Sequence, residues 1–198
     1  INIRYKDNYT LHLQCMKYLK IIKSQSGTIW LLDSDENLFD KSQFKTKKEF
    51  EKHIISRMIE DSIGEYDLSH LENGSPFLVG FEEPNISISH SANLFAIYIS
   101  KEKNVGVDVE LMTKQLTSGR HYFLNHQEMK TNWNNENLYA IWCAKEAYYK
   151  SIKGNVKAIN EELTILKIGE QEIRGQFNNE IVLFSIERMK GIILVYTK

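Results

Sequence analysis

The segment Val105–Glu110 (VGVDVE) constrains the fold of this 198-residue chain more than any other. Apolar residues alternate strictly with small or acidic ones along it, as in a β-strand with one buried face. The valines then share one face, while Asp108 and Glu110 start about 6.6 Å apart on the other. Two neighbouring carboxylates repel each other unless a cation lies between them. The strand therefore predicts either a cation site or an acidic face in contact with solvent.

Gly106 shares the face of the two acids, so we expect a ligand to approach the backbone there. Carboxylate oxygens suit Mg²⁺, which proteins often hold with one or two carboxylates, waters and a substrate phosphate. Mn²⁺ is the alternative ion for the same oxygen ligands. The strand alone thus points to a magnesium site without excluding a solvated acidic face.

Two segments, Thr46–Ile63 and Leu138–Lys153, have the periodicity of amphipathic helices. Short apolar or alternating runs predict further strands over residues 85–90, 94–100, 163–168, 172–177, 181–187 and 192–196. The last four runs are separated by Gly and Asn turns and predict an antiparallel meander. The fold class is therefore α+β, with a helix and an antiparallel sheet in each half.

A charged turn, Lys101–Asn104, is the best candidate for a connection near the middle of the chain. It divides the sequence into a predicted N-terminal half, residues 1–102, and a C-terminal half, residues 103–198, which carries the acidic strand.

Charge and cysteine content narrow the class of protein. The 25 Lys and Arg residues balance 26 Asp and Glu residues, which excludes a uniformly basic nucleic-acid binder. Cys15 and Cys143 cannot build a disulfide framework, so we expect a reducing compartment. No apolar run reaches about 18 residues, and the opening INIRYKDNYT has no signal-peptide core. We therefore expect a cytoplasmic protein with no membrane partner.

The predicted second helix contains the segment WCAKEAYYK (142–150), in which Trp142, Glu146 and Lys150 line one stripe. Glu146 could complete a three-carboxylate metal site, with Lys150 one turn further on beside a bound phosphate. Lys145 lies about 100° round the helix and could reach the same anion. The alternative is an exposed Glu–Lys pair, which contributes only a few tenths of a kcal/mol.

Two further segments could contact anions. A histidine flanked by hydroxyls, in NISISHS (85–91), can donate to a phosphate, although the motif alone favours a capped turn. A basic stretch before the first helix is either a solvated face or an additional anion contact; it contains Lys41, Lys45, Lys47 and Lys48.

Five segments, in this order, resemble the 4′-phosphopantetheinyl transferase superfamily. They are NGSPF (73–77), ISISHS (86–91), GVDVE (106–110), FLNHQE (123–128) and WCAKEAYYK (142–150). The most specific are the GxDxE strand and the WxxKExxxK helix, both intact here. About a hundred residues precede GVDVE, so the chain is similar to the two-lobed, monomeric, surfactin-synthetase-activating type. That type implies a pseudo-dimer of two similar halves with the site in the cleft between them.

The resemblance also implies roles for individual residues. Asp108, Glu110 and Glu146 match the Mg²⁺-binding carboxylates, and Asp108 also lies near coenzyme A. Lys150 matches the lysine that contacts the coenzyme A pyrophosphate, and Lys145 belongs to the same signature. Glu128 matches an acid placed near the metal or the general base. The remaining implied contacts to coenzyme A are Gly74, Ser75, Pro76, Ser89 and His90.

One loop departs from the family pattern. The family often has GKP where this chain has Gly74–Pro76 (GSP), with Ser75 in place of lysine. The resemblance therefore implies either one phosphate contact fewer or a contact supplied by Lys45, Lys47 or Lys48.

The activity that the resemblance implies is transfer of the phosphopantetheine arm of coenzyme A to a serine of an apo acyl or peptidyl carrier protein. The other product would be 3′,5′-ADP. Glu146, directly or through a water, would accept the serine proton, and Lys150 would steady charge on the departing side. Two alternatives stay open. One is a non-catalytic module that binds coenzyme A or carrier proteins, and the other is a Mg²⁺-dependent phosphohydrolase, which no motif in the sequence supports.

Overall fold

The computed structural model describes residues 16–37, 39–80 and 84–198, so Cys15 and the opening segment lie outside the described residues. Its strands form two antiparallel sheets, with the orders β1-β2-β6-β5 and β7-β11-β10-β9-β8, and one two-stranded ribbon, β3-β4. The strands are β1 (Tyr18–Lys23), β2 (Gly27–Asp33), β3 (Leu68–His70), β4 (Pro76–Leu78), β5 (Asn85–Ser91), β6 (Leu94–Ser100), β7 (Val107–Leu111), β8 (Leu163–Ile168), β9 (Glu172–Phe177), β10 (Glu180–Met189) and β11 (Ile192–Thr197). The prediction of an α+β fold and the predicted C-terminal meander are confirmed.

The two long helices are α1 (Lys47–Ile63) and α2 (Asn135–Ser151), and a short α3 (Ile159–Glu162) follows. The predicted first helix is confirmed, with the Thr46 side chain accepting the N–H of Glu49. The second helix begins three residues earlier than predicted, because Asn134 caps it through the N–H of Asn137. Within the described part of the chain, no helix combines the length and apolarity needed to cross a membrane.

The molecule is layered, with a helix outside each sheet and the sheets face to face. The core of α1 and the first sheet is separate from that of α2 and the second sheet. Between the sheets lies a third apolar cluster, formed by Ile29, Leu31, Leu94, Ala96, Tyr98, Val105, Val107, Val109, Ile192, Leu194 and Tyr196. The valine face of the acidic strand is buried there, which leaves Asp108 and Glu110 facing α2.

Strands β5 and β7 are edge strands of the two sheets, and serine hydroxyls join them. The hydroxyls of Ser87, Ser89 and Ser91 accept backbone N–H bonds from Val107 at 3.1 Å, Val109 at 3.3 Å and Leu111 at 3.4 Å, respectively. The two-residue spacing of the serines matches the period of the strand. This serine ladder satisfies amides that an edge strand would otherwise leave unpaired.

Gly106 allows α2 to pack directly against the start of β7. A Cβ atom at this position would lie 1.8 Å from the carbonyl oxygen of Ala147. The expectation that Gly106 makes room for a ligand is therefore wrong, because the backbone of α2 occupies that space. The close approach brings the neighbouring helical residues, Glu146 and Lys150, towards the acids of β7.

We predict that Gly106→Ala lowers the free energy of unfolding by about 1–3 kcal/mol, because α2 must move away from β7 to relieve the clash. Urea unfolding followed by circular dichroism measures the loss. Gly119→Ala is the matched control, since a Cβ there meets no atom closer than 3.9 Å. Equal stability of the two variants would contradict the role assigned to Gly106.

Candidate active site

Asp108 lies at the centre of a polar network between β7 and α2, with only 5% of its surface exposed. Its Oδ1 atom accepts hydrogen bonds from Ser89 Oγ at 2.7 Å and from Lys150 Nζ at 2.6 Å. Lys150 Nζ also donates to the carbonyl oxygen of Val107. Among the described residues, Oδ2 of Asp108 has no hydrogen-bond partner although it is buried. One oxygen of this carboxylate is therefore left for a group that the protein does not itself supply.

Glu110 is held by two side chains. Its Oε2 atom accepts from Ser91 Oγ at 2.6 Å, and its Oε1 atom accepts from Trp142 Nε1 at 3.3 Å. Two members of the serine ladder thus act twice: Ser89 and Ser91 accept a backbone N–H of β7 and donate to a carboxylate of the same strand. The ladder orients both acids while it joins the sheets.

Glu146 belongs to the same electrostatic environment. Burial raises the pKa of its carboxyl above the ordinary value of 4.5, and the negative charge of Asp108 adds to that effect. Lys150 opposes the rise, and Glu110 contributes to it. Cys143, buried beside them, has a thiol pKa raised by burial and by the same two strand carboxylates. A raised carboxyl pKa makes Glu146 a better proton acceptor once it is ionised.

These acids do not form a closed metal cluster in the structure. Across residues 16–37, 39–80 and 84–198, no three His, Cys, Asp or Glu side chains are grouped as they would be around a metal ion. The ammonium group of Lys150 lies against Asp108 instead. The carboxylates nevertheless fit a divalent cation. Among the described residues, Oδ2 of Asp108 is buried without a hydrogen-bond partner, and Lys150 only partly offsets the effect of burial and of the strand acids on Glu146. Binding of Mg²⁺ by Asp108, Glu110 and Glu146 stays a prediction.

A pocket of about 210 Å³ adjoins this network and is lined by residues of both halves. Four of the predicted coenzyme A contacts share its wall: Gly74, Ser75, Pro76 and Lys150. Two aromatic side chains, Phe77 and Tyr149, also line it. Lys150 is common to the pocket and to the carboxylate network, so a ligand in the pocket would lie next to the acids.

Among the charged residues of this pocket, the sequence analysis missed Lys103 and Lys153. Lys103 belongs to the charged KEKN turn (101–104), and Lys153 follows the end of α2. The turn and the nearby WCAKEAYYK helix were the only local signals. Neither position belongs to a motif.

Two predicted phosphate contacts lie elsewhere. Ser89 is buried, and its only proton is donated to Asp108. His90 is exposed and lies 3.7 Å from Glu51 Oε1 and beside the ring of Phe95, outside the wall of the pocket. The two residues are neighbours on β5 and face opposite sides of the sheet. Their contacts with the phosphates of coenzyme A stay predictions.

Lys145 and Glu128 form a structural pair rather than part of the site. Lys145 Nζ donates to Glu128 Oε2 at 2.6 Å and to the carbonyl oxygens of Phe123 and Asn160, which uses all three of its protons. Both residues are 2% exposed, and Lys145 does not line the pocket, so its predicted contact with an anion stays a prediction that this geometry does not support. Glu128 in turn accepts backbone N–H bonds from Asn125 and Ile165, which ties the 123–128 segment to β8.

The lysines proposed as substitutes at the GSP loop are also separate from it. Lys45 and Lys47 line a second pocket, of about 390 Å³, together with Phe44, Phe50 and Glu51. No residue of the GSP loop lines that pocket. Lys45 and Lys47 therefore do not share a pocket wall with the GSP loop, and a phosphate contact supplied by Lys45, Lys47 or Lys48 stays a prediction.

Comparison with known proteins gives two findings. Residues 104–187 match the model of the 4′-phosphopantetheinyl transferase superfamily, a range that includes β7 and α2. A protein of Synechocystis sp., whose name gives it as a candidate 4′-phosphopantetheinyl transferase, is 25% identical over 133 residues, which is 62% of this chain and 54% of that protein. The chain thus spans about half the length of the curated relative that it matches.

We predict that Lys145→Met lowers the free energy of unfolding by about 3–5 kcal/mol, because it leaves the Glu128 carboxylate buried without its counter-charge. Thermal and urea unfolding measure the loss. Adding Glu128→Gln should recover part of it, and Lys101→Met, at an exposed turn position, is the control. Normal stability together with weakened coenzyme A binding would instead restore Lys145 to the ligand site.

We predict that Glu146→Gln stabilises the protein at neutral pH in the presence of a chelator. The pKa of Glu146 is raised in the folded protein, so the folded state holds this proton more tightly than the unfolded state. Its contribution to stability therefore falls as the pH rises from about 4.5 through the raised value. The melting temperature of the variant should exceed that of the wild type at pH 8 and approach it at pH 4.

Glu170→Gln, which removes an exposed carboxyl far along the chain from the site, is the control for this pH series. A constant offset between Glu146→Gln and the wild type at every pH would contradict the electrostatic origin of the shift.

Proposed function

Because residues 104–187 match the model of the 4′-phosphopantetheinyl transferase superfamily, we propose that the chain is a member of it and transfers the 4′-phosphopantetheine arm of coenzyme A to a serine of an apo acyl or peptidyl carrier protein. The donor lies in the pocket between the halves, and the carrier serine reaches the reacting phosphate from the solvent side. The activity is that of a holo-[acyl-carrier-protein] synthase of the two-lobed type.

The observation that carries this proposal is the position of Lys150. Its ammonium group contacts Asp108 on one side, and the residue lines the pocket with Gly74, Ser75 and Pro76 on the other. A pyrophosphate placed beside Lys150 would have its nucleotide portion against the GSP loop and its reacting phosphorus near the acids. Positioning and neutralisation of charge are the main requirements of such phosphoryl chemistry.

The reaction forms one bond and breaks another. The serine Oγ attacks the phosphorus that carries the pantetheine group, and the bond from this phosphorus to the bridging oxygen of the pyrophosphate breaks. Glu146 accepts the serine proton, directly or through a water, and its raised pKa suits that role. Lys150 stabilises the negative charge on the departing 3′,5′-ADP.

Asp108, Glu110 and Glu146 are the residues that would hold Mg²⁺, or Mn²⁺ in its place. When bound, the cation supplies positive charge at the pyrophosphate. The protein itself contributes by orienting the carboxylates. Ser89 orients Asp108, and Ser91 and Trp142 orient Glu110.

Residues of both halves line the pocket, and on that ground we propose that one chain binds the donor and that the enzyme works as a monomer. A binding module that lacks transfer is the second candidate. The carboxylate network argues against it, because a module that only binds coenzyme A has no need for three neighbouring acids, among which burial and then the charge of Asp108 raise the pKa of Glu146.

The test is loading of an apo carrier protein with coenzyme A and Mg²⁺, followed by intact mass. We expect the wild type to add one phosphopantetheine group per carrier. Asp108→Ala and Glu146→Gln should each slow transfer by about a hundredfold or more, because each removes a group that stabilises the transition state or moves its proton.

Asp61→Ala and Glu170→Gln remove exposed acids outside the site and should transfer at the wild-type rate. Full transfer by both site variants would refute the assignment of the acids. Release of free phosphopantetheine without a change in the carrier would mean hydrolysis, and coenzyme A binding with neither product would mean a binding module.

A further inference from the structure

The ammonium group of Lys150 is bound to two acceptors on β7. It lies 2.6 Å from Asp108 Oδ1, and it also donates to the carbonyl oxygen of Val107 at 3.2 Å. Only 27% of the Lys150 side chain and 7% of the Asp108 side chain are exposed, so this ion pair is largely shielded from water. Shielding strengthens the attraction between the two charges and, equally, the repulsion from any further positive charge nearby.

A cation at the acids would bind the same carboxylate. Oδ1 of Asp108 already accepts from Lys150 and Ser89, whereas Oδ2 is buried and has no hydrogen-bond partner among the described residues. Oδ2 is therefore the oxygen of Asp108 that a divalent cation would use. Because both oxygens belong to one carboxylate, such a cation lies close to the ammonium group, and the two positive charges repel each other.

Lys150 also has access to a second partner. It is the penultimate residue of α2, and it lines the pocket together with Gly74 and Ser75. Its charge is carried on a flexible four-carbon stem, so the ammonium group can change partner while the helix stays in place. An anion bound in the pocket would offer that alternative, and a shift of the ammonium group towards it would relieve the repulsion at Asp108.

We propose that Lys150 couples metal binding to donor binding, because its ammonium group opposes a divalent cation at Asp108 until an anionic donor in the pocket binds that group instead. This inference rests on the proposed function, under which the donor is coenzyme A and the cation is Mg²⁺. Each ligand alone then binds weakly, and the two together bind with positive cooperativity. Lys150 thereby favours assembly of the complete site only when the donor is present.

Isothermal titration calorimetry measures the dissociation constant of Mg²⁺ for the wild type, Lys150→Met and Lys150→Arg, with and without saturating coenzyme A. Without coenzyme A, Lys150→Met should bind Mg²⁺ about tenfold more tightly than the wild type, because the opposing charge is gone. Lys150→Arg keeps that charge and should bind Mg²⁺ as the wild type does. The factor by which coenzyme A tightens Mg²⁺ binding should be about tenfold smaller in Lys150→Met than in the wild type.

Lys167→Met is the matched control, since it changes the net charge equally at an exposed position of β8, the strand at the opposite edge of the second sheet from β7. Its Mg²⁺ affinity should equal that of the wild type with and without coenzyme A, and melting temperatures establish that the variants are folded. An unchanged or weaker Mg²⁺ affinity in folded Lys150→Met would overturn the inference.

A measurement on the wild type covers the case in which Lys150→Met does not fold. The ¹⁵N NMR signal of the Lys150 ammonium group, assigned by its loss in Lys150→Arg, reports on the contact with Asp108. We expect the signal to move as Mg²⁺ is added, because the cation weakens that contact. A signal that stays unchanged at saturating Mg²⁺ would show that the two charges do not oppose each other, which is incompatible with the coupling.

Failure here is distinguishable from failure of the proposed function. If the wild type loads the carrier while Lys150→Met shows no gain in Mg²⁺ affinity, only the coupling role of Lys150 falls. If the wild type neither binds coenzyme A nor loads the carrier, the proposed function falls and takes this inference with it.

Discussion

The close contact between Gly106 and the backbone of α2 allows Glu146 and Lys150 to lie next to the acids of β7. A side chain of any size at Gly106 would hold the helix away from β7, since even a Cβ would meet the Ala147 carbonyl oxygen at 1.8 Å. With glycine there, Lys150 reaches Asp108 and the carboxyl of Glu146 shares the field of the strand acids. The chemistry therefore depends on a packing detail rather than on the acids alone.

The second organising element is the dual use of hydroxyl groups on β5. Serine combines a donor with acceptor capacity, so one side chain can satisfy an amide and a carboxylate together. Valine or alanine at Ser89 would fill similar space but would leave the N–H of Val109 and Oδ1 of Asp108 with fewer partners. Stability of the interface between the halves and alignment of the acids are thus properties of the same residues.

Local periodicity predicted much of the fold, including α1, the meander and the acidic strand. It left β1, β2 and the β3-β4 ribbon unassigned. In β2 both faces are packed, Leu31 between the sheets and Leu32 towards α1, so its apolar residues do not alternate with polar ones. The motifs located the acids, but the positions of Ser89 and Lys145 depended on which partner the fold brought near. A hydroxyl beside a histidine, or a lysine beside a glutamate, has the same appearance in the sequence whether it binds a ligand or a neighbouring strand.

The serine ladder has a consequence for how a ligand enters and leaves. A hinge motion that swung the halves apart would strip partners from three amides and two carboxylates in one step, and it would expose the apolar cluster between the sheets. Such opening is costly, so we expect a ligand to enter through the mouth of the pocket, past the rim where Asn73 holds the loop to the turn after α2. That rim bond is exposed, so it can break and reform at far lower cost than the serine ladder.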